Sequence, residues 1–281
     1  MVADGQWGRS KFGKMKKTQL EIIKNDKIAQ NIWKMVLAGD TSAITAAGQF
    51  INIKLDGHFL RRPISVHDVN DEELTIIYKV LGHGTEEMTE LPVGTELDVL
   101  TGLGNGYSLA EAGDKPLLIG GGVGIPPLYN LAKRLLSDSA SDGETASVNP
   151  ERKVQVVLGF NTAAEMFCVD EFLELGCDVI IATADGSYSM TDDKTGRVKN
   201  ALKGFVTDAI ADLDYSFFYT CGPEPMLRAL HAATKTDGQM SFEERMGCGF
   251  GACMGCSCKT ITGYKRICKD GPVMRKEEVL W

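Results

Sequence analysis

The sequence predicts a small antiparallel β-barrel, then a parallel-sheet α/β domain, then a short Cys-rich module. Three observations predict it. Residues 18–109 alternate short β segments with glycine and proline turns, the spacing of a barrel or sandwich. Residues 115–222 alternate apolar strands with helix-like stretches, which reads as a parallel sheet. From about residue 238 the chain is rich in Cys and Gly and follows neither period. The expected divisions are a loose tail over 1–15, a barrel over 16–110, an α/β domain over 111–237 and a Cys module over 238–281.

Taken in order, residues 1–15 are polar, Gly-rich and without hydrophobic periodicity. QFINIKL (49–55), ELTIIYKVL (73–81) and TELDVL (95–100) read as barrel strands, punctuated by Gly57, Gly82, Gly84, Pro92 and Gly94. KPLLIGGGVGIPPLYNLAKRLL (115–136) is an apolar strand, a glycine turn and an amphipathic helix. KVQVVLGF (153–160), DVIIATA (178–184) and YSFFYTCG (215–222) are further strands, with helix-like stretches at 163–176 and 204–213 between them. Residues 137–151 form a surface loop by composition.

Composition excludes several functions. The 281 residues carry 43% hydrophobic and 24% charged side chains, ordinary for a core-forming protein. No apolar run approaches the ~18 residues of a membrane span, and the N-terminus lacks a signal-peptide core. A net charge of −8 argues against a nucleic-acid partner. A cytoplasmic protein is expected. There the eight cysteines point away from a disulfide framework. Five of them, Cys248, Cys253, Cys256, Cys258 and Cys268, cluster near the end, as a metal or redox centre requires.

The spacing Cys248-x4-Cys253-x2-Cys256, with Cys268 farther on, matches the plant-type 2Fe–2S pattern of three thiolates on a tight loop and a distant fourth. Gly247, Gly249, Gly251 and Gly255 let that loop bend and aim amides at the sulfurs. A structural zinc site competes with this reading, but zinc modules usually pair two C-x2-C knuckles and this chain has one. Cys258, two residues beyond Cys256, faces away in an extended segment and reads as a bystander. Cys168, Cys177 and Cys221 read as small buried hydrophobes.

Three further motifs are weaker alone. The run Gly120, Gly121, Gly122, Val123, Gly124, between a strand and a helix, suits phosphate at a helix N-terminus or a tight turn without ligand. The run lacks the full G-x-G-x-x-G spacing. In the segment from Arg61 through Arg62, Pro63, Ile64 and Ser65, arginine clamps a diphosphate or is a solvated pair on an edge strand. Cys221, Gly222 and Pro223 end a strand, where open α/β sheets place ligands, or simply turn into a helix. The four histidines show no metal spacing, and hydrolase and NTPase motifs are missing.

Together and in order, these motifs resemble the ferredoxin–NADP reductase superfamily. Arg62, Pro63, Ile64 and Ser65 resemble its Arg-x-Tyr-Ser flavin motif, with Ile64 in place of the tyrosine. GGGVGIPPL (120–128) resembles its pyridine-nucleotide motif and CGPEPML (221–227) its nicotinamide-side motif. The ending, 244–260 followed by YKRICKDGPV (264–273), is similar to that of the electron-transfer subunits of NAD-dependent, type B dihydroorotate dehydrogenases. The resemblance implies FAD lined by Arg62, Pro63, Ile64, Ser65, Ile77, Tyr78, Lys79, Gly84 and Thr85. It implies NAD flanked by Gly120, Gly121, Gly122, Val123, Gly124, Ile125, Pro126, Cys221, Gly222 and Pro223, with Cys221 near the nicotinamide and no residue assigned as a catalytic acid or base. It implies a 2Fe–2S cluster on Cys248, Cys253, Cys256 and Cys268.

The implied partner is an FMN-containing catalytic subunit that oxidises dihydroorotate to orotate in pyrimidine biosynthesis, two of each chain forming a heterotetramer. Electrons would pass from that FMN through the cluster and FAD to NAD+, because the flavin alone exchanges both single electrons and hydrides. Asp185 offers a carboxylate to a ribose hydroxyl, favouring NAD over NADP. The alternatives are a reductase subunit of a sulfhydrogenase, sulfite reductase or transhydrogenase-like complex, a zinc-stabilised binding module, and an oxidoreductase acting without a partner.

Overall fold

The protein is described from a computed structural model covering residues 15–137 and 152–281; apart from Met15 and Ser137, the expected tail and the loop at 137–151 lie outside the described residues. Six strands close an antiparallel barrel in the order β1-β2-β5-β4-β3-β6. They are β1 (Lys16–Ala29), β2 (Ile32–Gly39), β3 (Phe50–Ile53), β4 (Arg62–Val69), β5 (Glu73–Lys79) and β6 (Glu96–Leu103). Leu20 and Ile22, Met35 and Leu37, Leu74 and Ile76 are fully buried in it, one side chain in two from each strand. Closure leaves no strand edge to pair with a stranger. The expected turn around Gly82 and Gly84 opens helix α1 (His83–Glu90). Thr85 stabilises its start by accepting from the Leu81 amide at 2.9 Å.

The second layer is a seven-stranded sheet in the order β10-β9-β8-β7-β11-β12-β15. Its elements run β7 (Pro116–Gly121), α2 (Pro126–Leu136), β8 (Gln155–Phe160), α3 (Val169–Glu174), β9 (Asp178–Thr183) and β10 (Asn200–Lys203). They continue with α4 (Val206–Ala209), β11 (Phe217–Cys221), α5 (Glu224–Ala233) and β12 (Gly238–Ser241). A hairpin of β13 (Ser257–Thr260) and β14 (Gly263–Arg266) precedes β15 (Val273–Arg275), which pairs antiparallel with β12. All other pairs in the sheet are parallel. Both faces are covered, as parallel sheets require. Leu118, Val156 and Leu158 pack with Leu128 and Leu131 of α2 on one side. Leu117, Ile119 and Val157 pack with Leu227 and Leu230 of α5 on the other.

The segment after β12 is more ordered than its sequence suggests. GQMS of β12 follows neither period in sequence, yet all four residues are buried, because a strand covered on both faces needs no alternation. The expected helix over 163–176 is split. A single turn at Ala163–Glu165 is followed by α3, and Cys168 between them adopts φ 62°. Phe50, Leu103, Ile267, Cys268 and Met274 form a shared apolar cluster that fastens the Cys-rich segment to one end of the barrel. Asn105 reinforces the join, donating to Val273 O at 2.9 Å and accepting from Val273 N at 3.1 Å.

Candidate functional site

The chain leaves β7 outward through β8, β9 and β10, then returns to β11 on the opposite side of β7. The β7–β11 boundary is therefore the topological switch point, where the carboxyl ends of the strands open a crevice. Gly120 pairs with Cys221 there. Gly122 turns the chain at φ 51°. A Cβ on Gly124 would lie 2.2 Å from the Cys221 carbonyl oxygen and 2.5 Å from Gly222 N, so the glycine run and the Cys-Gly-Pro turn are packed into one ridge. Thr220 Oγ1 donates to Ile119 O at 2.8 Å, and the Tyr107 hydroxyl donates to Thr220 O at 3.1 Å, fixing that ridge from beneath. Burial pushes the Cys221 thiol up to about 12, so it is neutral at neutral pH.

A cleft of about 610 Å³ opens at this point, within the range of pockets that enclose cofactors. The barrel contributes Arg61, Arg62, Pro63, Ile64, Ser65, Ile77, Tyr78, Lys79 and Thr85. The sheet contributes Val123, Gly124, Cys221, Gly222 and Pro223. Among the residues named from sequence, Gly84, Gly120, Gly121, Gly122, Ile125 and Pro126 lie outside its walls. Ile125 and Pro126 are buried behind them. Pro126 and Pro127 carry no N–H, so the first turn of α2 offers few amides to a phosphate. Tyr78 packs its ring into the barrel, with its hydroxyl donating to Asn25 Oδ1 at 3.0 Å. The sequence reading missed Leu60, Leu81 and the wall formed by Phe242, Glu243, Glu244, Arg245 and Met246. Nothing in their composition distinguishes them from surface residues.

The two arginines are unlike. Arg61 is tied into the barrel: it donates to Asp98 Oδ1 at 2.7 Å, Asp98 O at 2.9 Å and Asn52 O at 3.3 Å. Arg62 bonds only Leu60 O at 2.5 Å and His58 Nδ1 at 2.8 Å, leaving guanidinium capacity for an anion. It lies flat over Gly84, where a Cβ would come within 2.0 Å of its Nε. With glycine at 84 the guanidinium rests directly against the backbone, and a cleft-lining arginine with donors to spare fits a diphosphate-bearing cofactor.

The Cys loop follows directly on the cleft wall, Met246 being separated from Cys248 by Gly247 alone. Gly249 and Gly251 adopt φ 77° and 92°, and Met254 φ 61°, which folds the loop around its sulfurs. Amides of Ala252 and Cys253 point at Cys248 Sγ at 3.2 and 3.4 Å, Gly255 N at Cys253 Sγ at 3.4 Å, and Cys268 N at Cys256 Sγ at 3.4 Å. Burial alone would raise the Cys248 thiol, but amides led by that of Phe250 overcome it and hold it at about 6. Cys256 and Cys268 are buried, and Cys253 is exposed. None of the four is in a disulfide. Amides aimed at converging thiols fit an iron–sulfur cluster, whose sulfurs accept such bonds. Cys258 instead contacts Met274 Sδ at 4.0 Å. Asn52 on the barrel donates to Cys248 O at 3.4 Å.

Comparison with known proteins places the chain. The iron–sulfur cluster binding domain of dihydroorotate dehydrogenase B matches residues 243–280, and the oxidoreductase NAD-binding domain matches residues 118–232. The chain is 40% identical over 280 residues to the "dihydroorotate dehydrogenase B (NAD(+)), electron transfer subunit" of Shouchella clausii, covering 94% of this chain and 98% of that one. The subunit so named from Bacillus pumilus is 41% identical, with the same coverage. Among solved structures, a chain of the NADH-dependent reduced ferredoxin–NADP oxidoreductase superposes with TM-score 0.76 at 28% identity, over 93% of this chain and 90% of that one. Ferredoxin–NADP+ reductase from Plasmodium falciparum shares the fold at 12% identity, TM-score 0.59, over 78% of this chain and 90% of that one. The chain belongs to the family of electron-transfer subunits of NAD(+)-dependent dihydroorotate dehydrogenase B.

Proposed function

We infer that this chain carries electrons from the FMN of a dihydroorotate dehydrogenase catalytic subunit to NAD+, in pyrimidine biosynthesis. One observation carries the reading. A single cleft is walled by the barrel, by the switch point of the sheet and by the segment that runs directly into the Cys loop. A 2Fe–2S cluster on the Cys loop would supply single-electron transfer, and FAD in the cleft would interconvert single electrons and hydride for NAD+.

The chain's own residues divide the work. Arg62, over Gly84, holds the FAD diphosphate; Pro63, Ile64, Ser65, Ile77 and Lys79 support the flavin side of the cleft. Val123, Gly124, Cys221, Gly222 and Pro223 present the nicotinamide side, and the neutral Cys221 thiol adds no charge there. Cys248, Cys253, Cys256 and Cys268 ligate the cluster. The partner is an FMN-containing catalytic subunit, two of each chain assembling as a heterotetramer in the cytoplasm. No helix among the described residues is long and apolar enough to cross a membrane.

The test is reconstitution with the FMN subunit, followed by dihydroorotate-dependent formation of NADH. Turnover that needs both chains supports the reading. A chain that oxidises NADH with artificial acceptors yet never couples to dihydroorotate would move the partner to another dehydrogenase.

A further inference from the structure

We propose that this chain holds a divalent ion of the zinc class at the seam between barrel and sheet, on His67, Cys168 and Glu171. His67 on β4 lies far in sequence from Cys168 and Glu171 at the start of α3, yet the three ligand atoms all fall within 4.8 Å of one another. His67 is 1% exposed. Its Nδ1 lies 3.1 Å from the carbonyl oxygen of Pro126. A carbonyl only accepts, so Nδ1 carries the proton, and in the neutral ring Nε2 presents a lone pair. That lone pair faces Glu171 Oε2 at 3.5 Å, a buried carboxylate oxygen with no aligned hydrogen bond, on a side chain whose carboxyl is held low, against its burial, by His67, Cys168 and Lys34. Two acceptors pointed at each other repel unless a proton or a metal cation stands between them.

The surroundings fit a metal better than a bare proton. A ligating histidine characteristically gives its other N–H to a backbone carbonyl, as His67 does. Stacking on Tyr129, with ring centroids 4.6 Å apart, fixes the imidazole plane. Lys34 Nζ holds Glu171 Oε1 at 2.5 Å, which turns Oε2 toward the histidine and serves as the outer-shell bond that ligating carboxylates receive. Cys168 adds a soft ligand and sits at φ 62°, a conformation rare for a side chain of its kind. A cleft of about 540 Å³ that includes Lys34, Cys168 and Glu171 in its walls admits the ion and a water as fourth ligand. One nitrogen, one thiolate, one carboxylate and one water make a four-coordinate set of the kind zinc takes. On binding, the Cys168 thiol releases its proton to solvent. The ion would join the barrel to the sheet through bonds that neither domain makes alone.

The experiment uses the full chain with its iron and flavin in place. Zinc is titrated in, loosely held metal is removed on a chelating resin, and zinc and iron are counted by mass spectrometry. The zinc absorption edge then reports the ligands. The expected result is about one zinc per chain with a single sulfur neighbour among nitrogen and oxygen. Cys168→Ser and Glu171→Gln should each weaken binding by more than the roughly 10- to 100-fold lost with an outer-shell partner, while iron content holds. Using both variants guards against one that fails to fold. Retention of no zinc overturns the proposal and leaves a His67 imidazolium paired with Glu171. So does zinc surrounded by four sulfurs, which would lie in the cluster loop, or zinc that survives both substitutions.

Discussion

Gly124 and Cys221 are in backbone contact: a Cβ on Gly124 would stand 2.2 Å from the Cys221 carbonyl oxygen. This approach brings the glycine run of β7 and the Cys-Gly-Pro turn of β11 into one surface, the proposed nucleotide side of the cleft. Gly124→Ala must push the two strand ends apart, at a cost of about 1–3 kcal/mol. The expected outcome is a lower melting temperature and a raised KM for NADH with an artificial acceptor. An unchanged KM would show that the nucleotide does not use this ridge.

The two neighbouring arginines should separate cleanly. Arg62→Ala removes the cation over Gly84, and FAD should bind roughly 10- to 100-fold more weakly, the worth of about 1.5–3 kcal/mol in charge-assisted hydrogen bonds. Arg61→Ala breaks the bonds to Asp98 and Asn52 and should lower stability with a smaller change in FAD affinity. Flavin retention during gel filtration, with urea unfolding, distinguishes them. Equal flavin loss in both would place the diphosphate elsewhere.

Asp98 predicts a pH dependence. Burial alone would raise its carboxyl, but Lys17 at 2.9 Å and Arg61 at 2.7 Å outweigh that and hold it below its usual value. A folded-state pKa below the unfolded one stabilises the protein above the unfolded value of ~3.9 and loses that contribution as pH falls toward the folded value. Urea midpoints of the wild type and Asp98→Asn should therefore differ by a constant amount from about pH 6 to 8 and converge below about pH 4. A gap that widens in acid would contradict the assignment.

The proposed cluster ligands can be tested one at a time. Cys253→Ser should abolish the bound iron while FAD stays, since the exposed Cys253 lies in the loop and outside the flavin walls. Cys258→Ser should leave the iron intact, because that thiol rests on Met274. Iron analysis and the visible spectrum decide both.

Much of this architecture is legible in the sequence, because local chemistry dictates it. Leu117 and Ile119 against Leu118 mark a strand buried on both faces. The spacing of Cys248, Cys253 and Cys256 marks a cluster loop before any fold is known. What escapes is whatever depends on distant partners. GQMS of β12 becomes a strand only because β11 and β15 flank it. Glu243 to Met246 become a cleft wall only because β12 lies beside β11. Spacing alone cannot tell Arg61 from Arg62; the resemblance picks Arg62, and the physical reason appears only once Asp98 claims Arg61. His67, Cys168 and Glu171 show no ligand spacing at all, since the barrel and the sheet must meet before they do.

The central claim is the electron route, and anaerobic reduction by NADH tests it most directly. In the complex with the FMN subunit, NADH should bleach FAD first and the partner's FMN afterwards. With Cys253→Ser, FAD should still bleach while the partner's FMN stays oxidised. FMN that reduces equally fast without bound iron would contradict the account, because the cluster would then lie off the route.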